Sequence, residues 1–250
     1  MKHLKKTLAL AMAVACVGCF AACGGDDEGG VPGENVVGVE VTAEEWAAAF
    51  AATMEATNFK MDSYAMYDWK AAEGSDFEKG SQTGVMQVAD GKMYIEYTWT
   101  ESWSYTEESG VDAGEETRTN KSYYYTENEI NYGLYWDSEE NQWTKDEYGM
   151  PAEYRNGTYV MRMIEETDYE AYTYNADKSA YVYEETEEGW TTTVELKIKD
   201  GKIAVIKLTD SSDEDGEGIE TQTLVLTYGG ASVTIPNDIV IAEDSDEEAE

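Results

Sequence analysis

Carboxylates are the only catalytic side chains this chain carries in quantity: 53 Asp+Glu stand against 17 Lys+Arg and one His. Two carboxyl groups about 5–10 Å apart can hydrolyse a glycosidic bond, provided an apolar surround raises one of them into the range of a general acid. No pair in the sequence is set off by such a flank. The single imidazole, His3, and all three thiols, Cys16, Cys19 and Cys23, fall within the first 23 residues. A chain cleaved before Cys23 keeps no imidazole and one Cys at its start. Ser–His and Cys–His nucleophiles, His-ligated metals and a disulfide framework are then excluded. No Ser–Lys motif is recognisable. The expectation is a protein that is not an enzyme and needs no cofactor.

The acidic run Asp210–Gly218 invites a calcium reading. With Gly216 as the turn glycine of an EF-hand register, Asp213 and Asp215 fit, but Ser211 and Gln222 fall where the first ligand and the bidentate acid belong. A solvated hairpin loop explains the run better.

Aromatic side chains are the other group with binding chemistry. Scarce Leu, Ile, Val and Phe with high charge normally point to disorder, yet 19 Tyr and 7 Trp do not. Tyr and Trp can line a half-dry sheet with their polar tips in water. Tyr94, Tyr97, Trp99, Trp103 and Tyr105 lie close in sequence, as do Tyr132, Tyr135, Trp136 and Trp143. Such rings can stack on sugars or grip an apolar ligand, and the inward half of them must also serve as core. Trp99, Tyr97, Tyr94, Trp136 and Tyr135 are the candidate ligand-binding residues.

These rings need elements to hold them. Thr42 and Glu45 form a capping box, with Val41 and Trp46 placed as a hydrophobic staple. Trp46, Phe50, Thr53/Met54 and Thr57 continue a helical stripe, which predicts a helix from about Ala43 to Thr57. From Phe59 the period changes to two. Strands are predicted over Phe59–Lys70, Ser81–Ala89, Lys92–Thr100, Thr117–Thr126, Ile130–Trp136 and Gln142–Lys145, and a Gly/acid-rich connection fills Glu73–Gly80. Further strands are predicted over Ala171–Asn175, Ala180–Glu184, Trp190–Lys199, Lys202–Thr209, Ile219–Tyr228 and Ser232–Ile235. Glu107–Glu116 reads as an acidic loop. Tyr159–Ile164 reads as a short helix or strand. Asp90-Gly91 and Asp200-Gly201 are strong hairpin turns. The fold class is α+β, mostly β: a curved antiparallel sheet, an incomplete β-barrel, packed on an N-terminal helix.

The N-terminus carries the most specific motif. Met1–Lys6 is basic, and Thr7–Ala22 is a 16-residue run dominated by Ala, Leu and Val. That is shorter than the roughly 20 residues of a membrane span and suits a secretory signal. Phe20-Ala21-Ala22-Cys23, followed by Gly24-Gly25-Asp26-Asp27-Glu28, resembles a bacterial lipobox. The resemblance implies that Cys23 is acylated and becomes the mature N-terminus, with Cys16 and Cys19 as competing sites. Two acyl chains anchor a protein stably without a transmembrane helix. The organisation expected is a signal peptide over 1–22, lipidated Cys23 with a flexible acidic tether over 23–40, one β-rich domain over 41–241 and an acidic tail over 242–250. The location expected is the extracytoplasmic face of the cell membrane. The net charge of −36, which becomes −39 without residues 1–22, excludes charge-driven binding to nucleic acid or to a bare anionic bilayer.

Lipobox, acidic tether, a helix beginning Val-Thr-Ala-Glu-Glu-Trp, and a long meander ending in Tyr228-Gly-Gly-Ala-Ser-Val-Thr-Ile-Pro236 together resemble small surface lipoproteins of Gram-positive bacteria. The layout is similar to the LolA/LppX-like group, which implies a half-barrel over helices and an apolar ligand in its concave face. The chain departs from that group in its few aliphatic residues and single clear helix, and no site residues carry over. The function expected is binding of an apolar or amphipathic ligand on the concave aromatic face. A glycan- or protein-interaction module is the alternative, and a carboxylate-dependent hydrolase a further one.

Overall fold

The computed structural model describes residues 32–71, 76–107, 110–138, 141–187, 189–212, 216–236 and 239. The signal peptide, Cys23, the first part of the tether, Asp213–Asp215 and the acidic tail lie outside the described residues.

Helix α1, Ala43–Met54, starts at the predicted capping box. The Thr42 backbone N–H donates to Glu45 Oε2 at 2.8 Å, and the Glu45 N–H donates to Thr42 Oγ1 at 3.3 Å. The helix stops three residues short of Thr57. Gly157 lies so close that a Cβ there would sit 1.6 Å from the Thr53 carbonyl oxygen. A distant segment therefore takes the space of another turn, and the Gly157 N–H caps the Ala56 carbonyl at 2.9 Å.

Among the described residues eleven strands form one antiparallel sheet. They are β1 Phe59–Ala71, β2 Phe77–Ala89, β3 Lys92–Glu107, β4 Gly110–Glu127, β5 Ile130–Asp137, β6 Gln142–Asp146, β7 Thr173–Asn175, β8 Ala180–Glu187, β9 Trp190–Lys199, β10 Lys202–Ser212 and β11 Gly216–Tyr228. The order is β6-β5-β4-β3-β2-β1-β11-β10-β9-β8-β7. Two hairpin meanders thus meet where β1 pairs with β11, Phe59 opposite Tyr228 and Ala71 opposite Gly216. The sheet is open and curved, with β6 and β7 as its edges, and α1 packs on it at β10.

Several strands outrun their predicted ends. The acidic segment expected as a loop over Glu107–Glu116 is mostly strand, because β3 and β4 stay paired from Met93–Tyr124 to Glu107–Gly110. Thr–Thr pairs just ahead of it, Thr98 with Thr119 at 2.9 Å and Thr100 with Thr117 at 3.1 Å, fix the register that the acid-rich continuation then keeps. The strand predicted over Ser232–Ile235 is absent. Gly229 and Gly230, at φ +81° and +74°, turn the chain off the sheet, and Asn58 holds Ala231 through two hydrogen bonds of 3.1 and 3.0 Å. Both predicted Asp-Gly turns form, with left-handed Asp90-Gly91 and Asp200-Gly201.

The core lies between one face of the sheet and a lid made of α1 and the connection after β6. That connection holds the short helix α2, Thr158–Met161. Trp46 is its hub, with ring centroids 4.8 Å from Phe50, 4.9 Å from Tyr172 and 4.9 Å from Tyr181. Met61, Met86, Met93, Met161 and Met163 fill the space that missing aliphatics leave. Flexible thioethers suit such irregular gaps. Residues Gly33–Val39, expected within the tether, run along the sheet. Gly33 touches Val205 and Val225, Gly38 is buried against Ser179 and Lys197, and the Val39 N–H donates to the Ile198 carbonyl at 2.9 Å.

Candidate functional site

The register sorts the lidded face into rungs. Closest to the core, Leu196, Ile206, Leu224, Ser63, Gly84, Tyr97 and Asn120 run across β9, β10, β11, β1, β2, β3 and β4. The next rung is Val194, Leu208, Gln222, Ala65, Gln82, Trp99 and Arg118. Then comes an acidic rung: Thr192, Asp210, Glu220, Tyr67, Gly80, Glu101 and Glu116. The rung at the open end is Trp190, Ser212, Gly218, Trp69, Glu78, Trp103 and Gly114. The lid covers the apolar rungs. Beyond it opens a cavity of about 700 Å³, lined by Trp69, Trp99, Trp190, Tyr67 and Tyr97 among rings, and by Gln82, Asn120, Glu78, Glu220 and Arg118 among polar groups.

Small residues beside the rings keep the strands close. The Tyr67 ring lies over Gly80, where a Cβ would come within 2.5 Å of it, and Trp103 covers Gly114 in the same way. Folding across Gly80 carries the Tyr67 hydroxyl to Glu78 and Glu101. That hydroxyl is buried without a well-aligned hydrogen bond, and burial followed by the two nearby carboxylates pushes its pKa far up. Tyr105 donates to Glu78 and is pushed up to about 12 by burial and that carboxylate.

Burial also pushes the Glu101 carboxyl up; Glu78 and Glu116 add to this, while the Tyr67 hydroxyl opposes it. Burial raises Glu220 too, with help from Asp210 directly across the ladder. Asp210 accepts from the Thr192 hydroxyl at 2.5 Å. Among the described residues no Lys or Arg is ion-paired with Glu78, Glu101, Asp210 or Glu220. Arg118, beside Trp99, is held by Glu116 through Nε at 2.5 Å and Nη2 at 2.8 Å. A raised carboxyl facing a second one is what a hydrolase needs in kind. Glu78 stands on the neighbouring strand, one rung from Glu101, and helps to raise its carboxyl.

The predicted ligand-binding residues divide. Tyr97 and Trp99 line the cavity. Tyr135 stands on the same face, folded over Gly133, its ring 5.9 Å from Tyr124. Tyr94 and Trp136 belong to the opposite face and do not reach the concavity. Tyr94 stacks on Tyr123 at 4.6 Å, Tyr123 meets Trp143 at 5.3 Å, and Trp143 meets Trp136 at 5.3 Å. Leu134 is fully buried on that face. The odd–even alternation from Met93 already separates Tyr94 from Tyr97 and Trp99. The place of Trp136 depends on a cross-strand register that its own sequence does not carry. Trp69, Trp190, Gln82 and Glu220 come from four other strands, and only the pairing of β1 with β11 brings them together.

The calcium register does not survive the ladder. Gln222 is buried within β11 opposite Ala65 and Leu208, and Ser211 is a β10 residue opposite Ile219. Among the described residues no group of three or more acidic, His or Cys side chains is gathered as a metal site.

No family model matches the chain, and no curated protein matches it. Among solved structures it is similar to the S-type phycobiliprotein lyase CPES from Guillardia theta, at 8% identity and a TM-score of 0.24, over 76% of this chain and 97% of that one. A likeness at that score carries no argument about fold or function. The site itself is an open sheet domain with an accessible aromatic face able to take a ligand.

Proposed function

We propose that this protein is a non-catalytic lipoprotein, anchored through Cys23 to the extracytoplasmic face of the cell membrane, that binds an amphipathic ligand in the concave cavity. The observation that carries the binding reading is the cavity's lining. Three Trp and two Tyr side chains alternate with Gln82, Asn120 and Glu220 around about 700 Å³. Small-molecule sites have this volume and this mix of ring surface with a few placed polar groups. A purely apolar guest would leave those polar groups without partners, which is costly. An apolar body bearing polar groups fits both. The N-terminal motif supports the anchor.

Replacing Trp99 with Ala removes one ring from the wall. The expected result is a loss of ligand affinity of about fivefold to tenfold, equivalent to roughly 1–1.5 kcal/mol, with unfolding still cooperative. Titration of the bound ligand into wild type and variant reads this directly. Unchanged affinity would remove the concave face from the account.

The outer aromatic cluster favours a second reading, a surface module for glycan or protein. Tyr94, Tyr123, Trp136 and Trp143 form a continuous patch at the β6 edge. It predicts that Trp143→Ala abolishes capture of the partner while Trp99→Ala does not.

A further inference from the structure

We infer that the ligand carries a protonated amine on its apolar body. This rests on the concave-cavity reading and names the chemical class that the cavity selects. Ring faces attract cations through their quadrupole, Trp most strongly. Trp69, Trp99 and Trp190 present such rings around the cavity, and Glu78 and Glu220 stand between them. Asp210 and Glu101 back these two acids on the same face, and none of the four is ion-paired among the described residues. Among the described residues the only cation lining the cavity, Arg118, is bound in fork geometry by Glu116.

One buried polar atom beside this wall lacks a hydrogen-bond partner: Oε1 of Gln222, a residue 1% exposed, one rung below Glu220 and opposite the cavity-lining Ala65. The Tyr67 hydroxyl faces Glu78 and Glu101. An N–H-bearing cation supplies what the wall lacks: positive charge for the acids and a donor for the Gln222 oxygen. Burial, and after it the Asp210 carboxylate across the ladder, raises the Glu220 carboxyl, and a cation bound beside it would offset both. The whole molecule points the same way, since a net charge of −36 steers cations inward and repels carboxylate or phosphate ligands.

The test compares 4-phenylbutylammonium, 4-phenylbutanol and 4-phenylbutyrate, three probes with one apolar body and charges of opposite or no sign. The full chain is held in phosphatidylcholine nanodiscs, and the heats of empty nanodiscs are subtracted. The ammonium should bind about tenfold tighter than the alcohol, with the carboxylate weakest, and its affinity should fall as salt is raised. Glu220→Gln and Glu78→Gln should each weaken the ammonium about fivefold and the alcohol by distinctly less, and equal losses for the two probes would overturn the cation inference. Thermal melts serve as the control for folding of each variant.

Alcohol or carboxylate binding as tight as the ammonium, lost in Trp99→Ala, would overturn the cation inference while sparing the binding reading. Absence of binding by all three probes would overturn both.

Discussion

Glu101 and Glu220 are the residues whose environment departs furthest from that of a surface carboxylate. Burial is the first cause for both, and neighbouring acids are the second. A carboxyl whose folded pKa lies above its unfolded value, about 4.3 for Glu, binds its proton more tightly when folded. Its contribution to stability is complete below the unfolded pKa and is lost as pH rises through the folded one. Glu101→Gln and Glu220→Gln should therefore melt no lower than wild type near neutral pH and lose any advantage near pH 4. Thermal melts at the two pH values check the sign, and a variant less stable than wild type only at neutral pH would contradict it. None of this was legible in the sequence. Glu78, Glu101 and Tyr67 come from three strands, and neither acid has apolar neighbours on both sides in the sequence. Tyr97 and Trp99 were legible, because Met93 and Ile95 mark their face within the same strand.

At the scale of elements, the joint between α1 and β10 holds the lid in place. A bulge between Ile203 and Val205 shifts the β9–β10 register and keeps both Ile203 and Ile206 in the core. The Ile203 N–H donates to Thr53 Oγ1 at 3.0 Å, and Tyr228 donates to the Ile203 carbonyl at 2.6 Å. Thr53 Oγ1 in turn donates to the Ala49 carbonyl at 2.8 Å. Thr53→Val keeps the shape and strands the Ile203 N–H, so a loss of about 1–3 kcal/mol is expected in denaturant titration.

The β4–β5 hairpin supplies a prediction of opposite sign. Asn128 and Glu129 adopt φ of +51° and +68°, a turn that matches strand twist but strains Glu. Glu129→Gly should stabilise by about 0.5–1 kcal/mol, read in the same titration. The sequence showed the start of α1 through local capping chemistry. It did not show the end, because Gly157 arrives from a hundred residues away. The strand cores were legible from alternation. Their extensions were not, because acid-rich tips read as loop until a partner strand is in place.

The whole molecule is a sheet with two faces and one lid. The lid covers the apolar rungs and leaves the Trp and acidic rungs open. A net charge of −36 repels anionic surfaces, so the membrane attachment proposed above requires a covalent anchor. Cys23→Ser should move the protein from the detergent phase to the aqueous phase in cloud-point partition, with the secreted domain still folded. Retention in the detergent phase would argue against acylation at Cys23.

The concave cavity is the central claim, and native mass spectrometry of the protein extracted from membranes tests it most directly. Wild type should carry a reproducible small-molecule adduct that Trp99→Ala and Trp190→Ala reduce or lose, while Trp143→Ala on the opposite face retains it. A wild-type mass without adduct, or an adduct lost only in Trp143→Ala, would contradict the account.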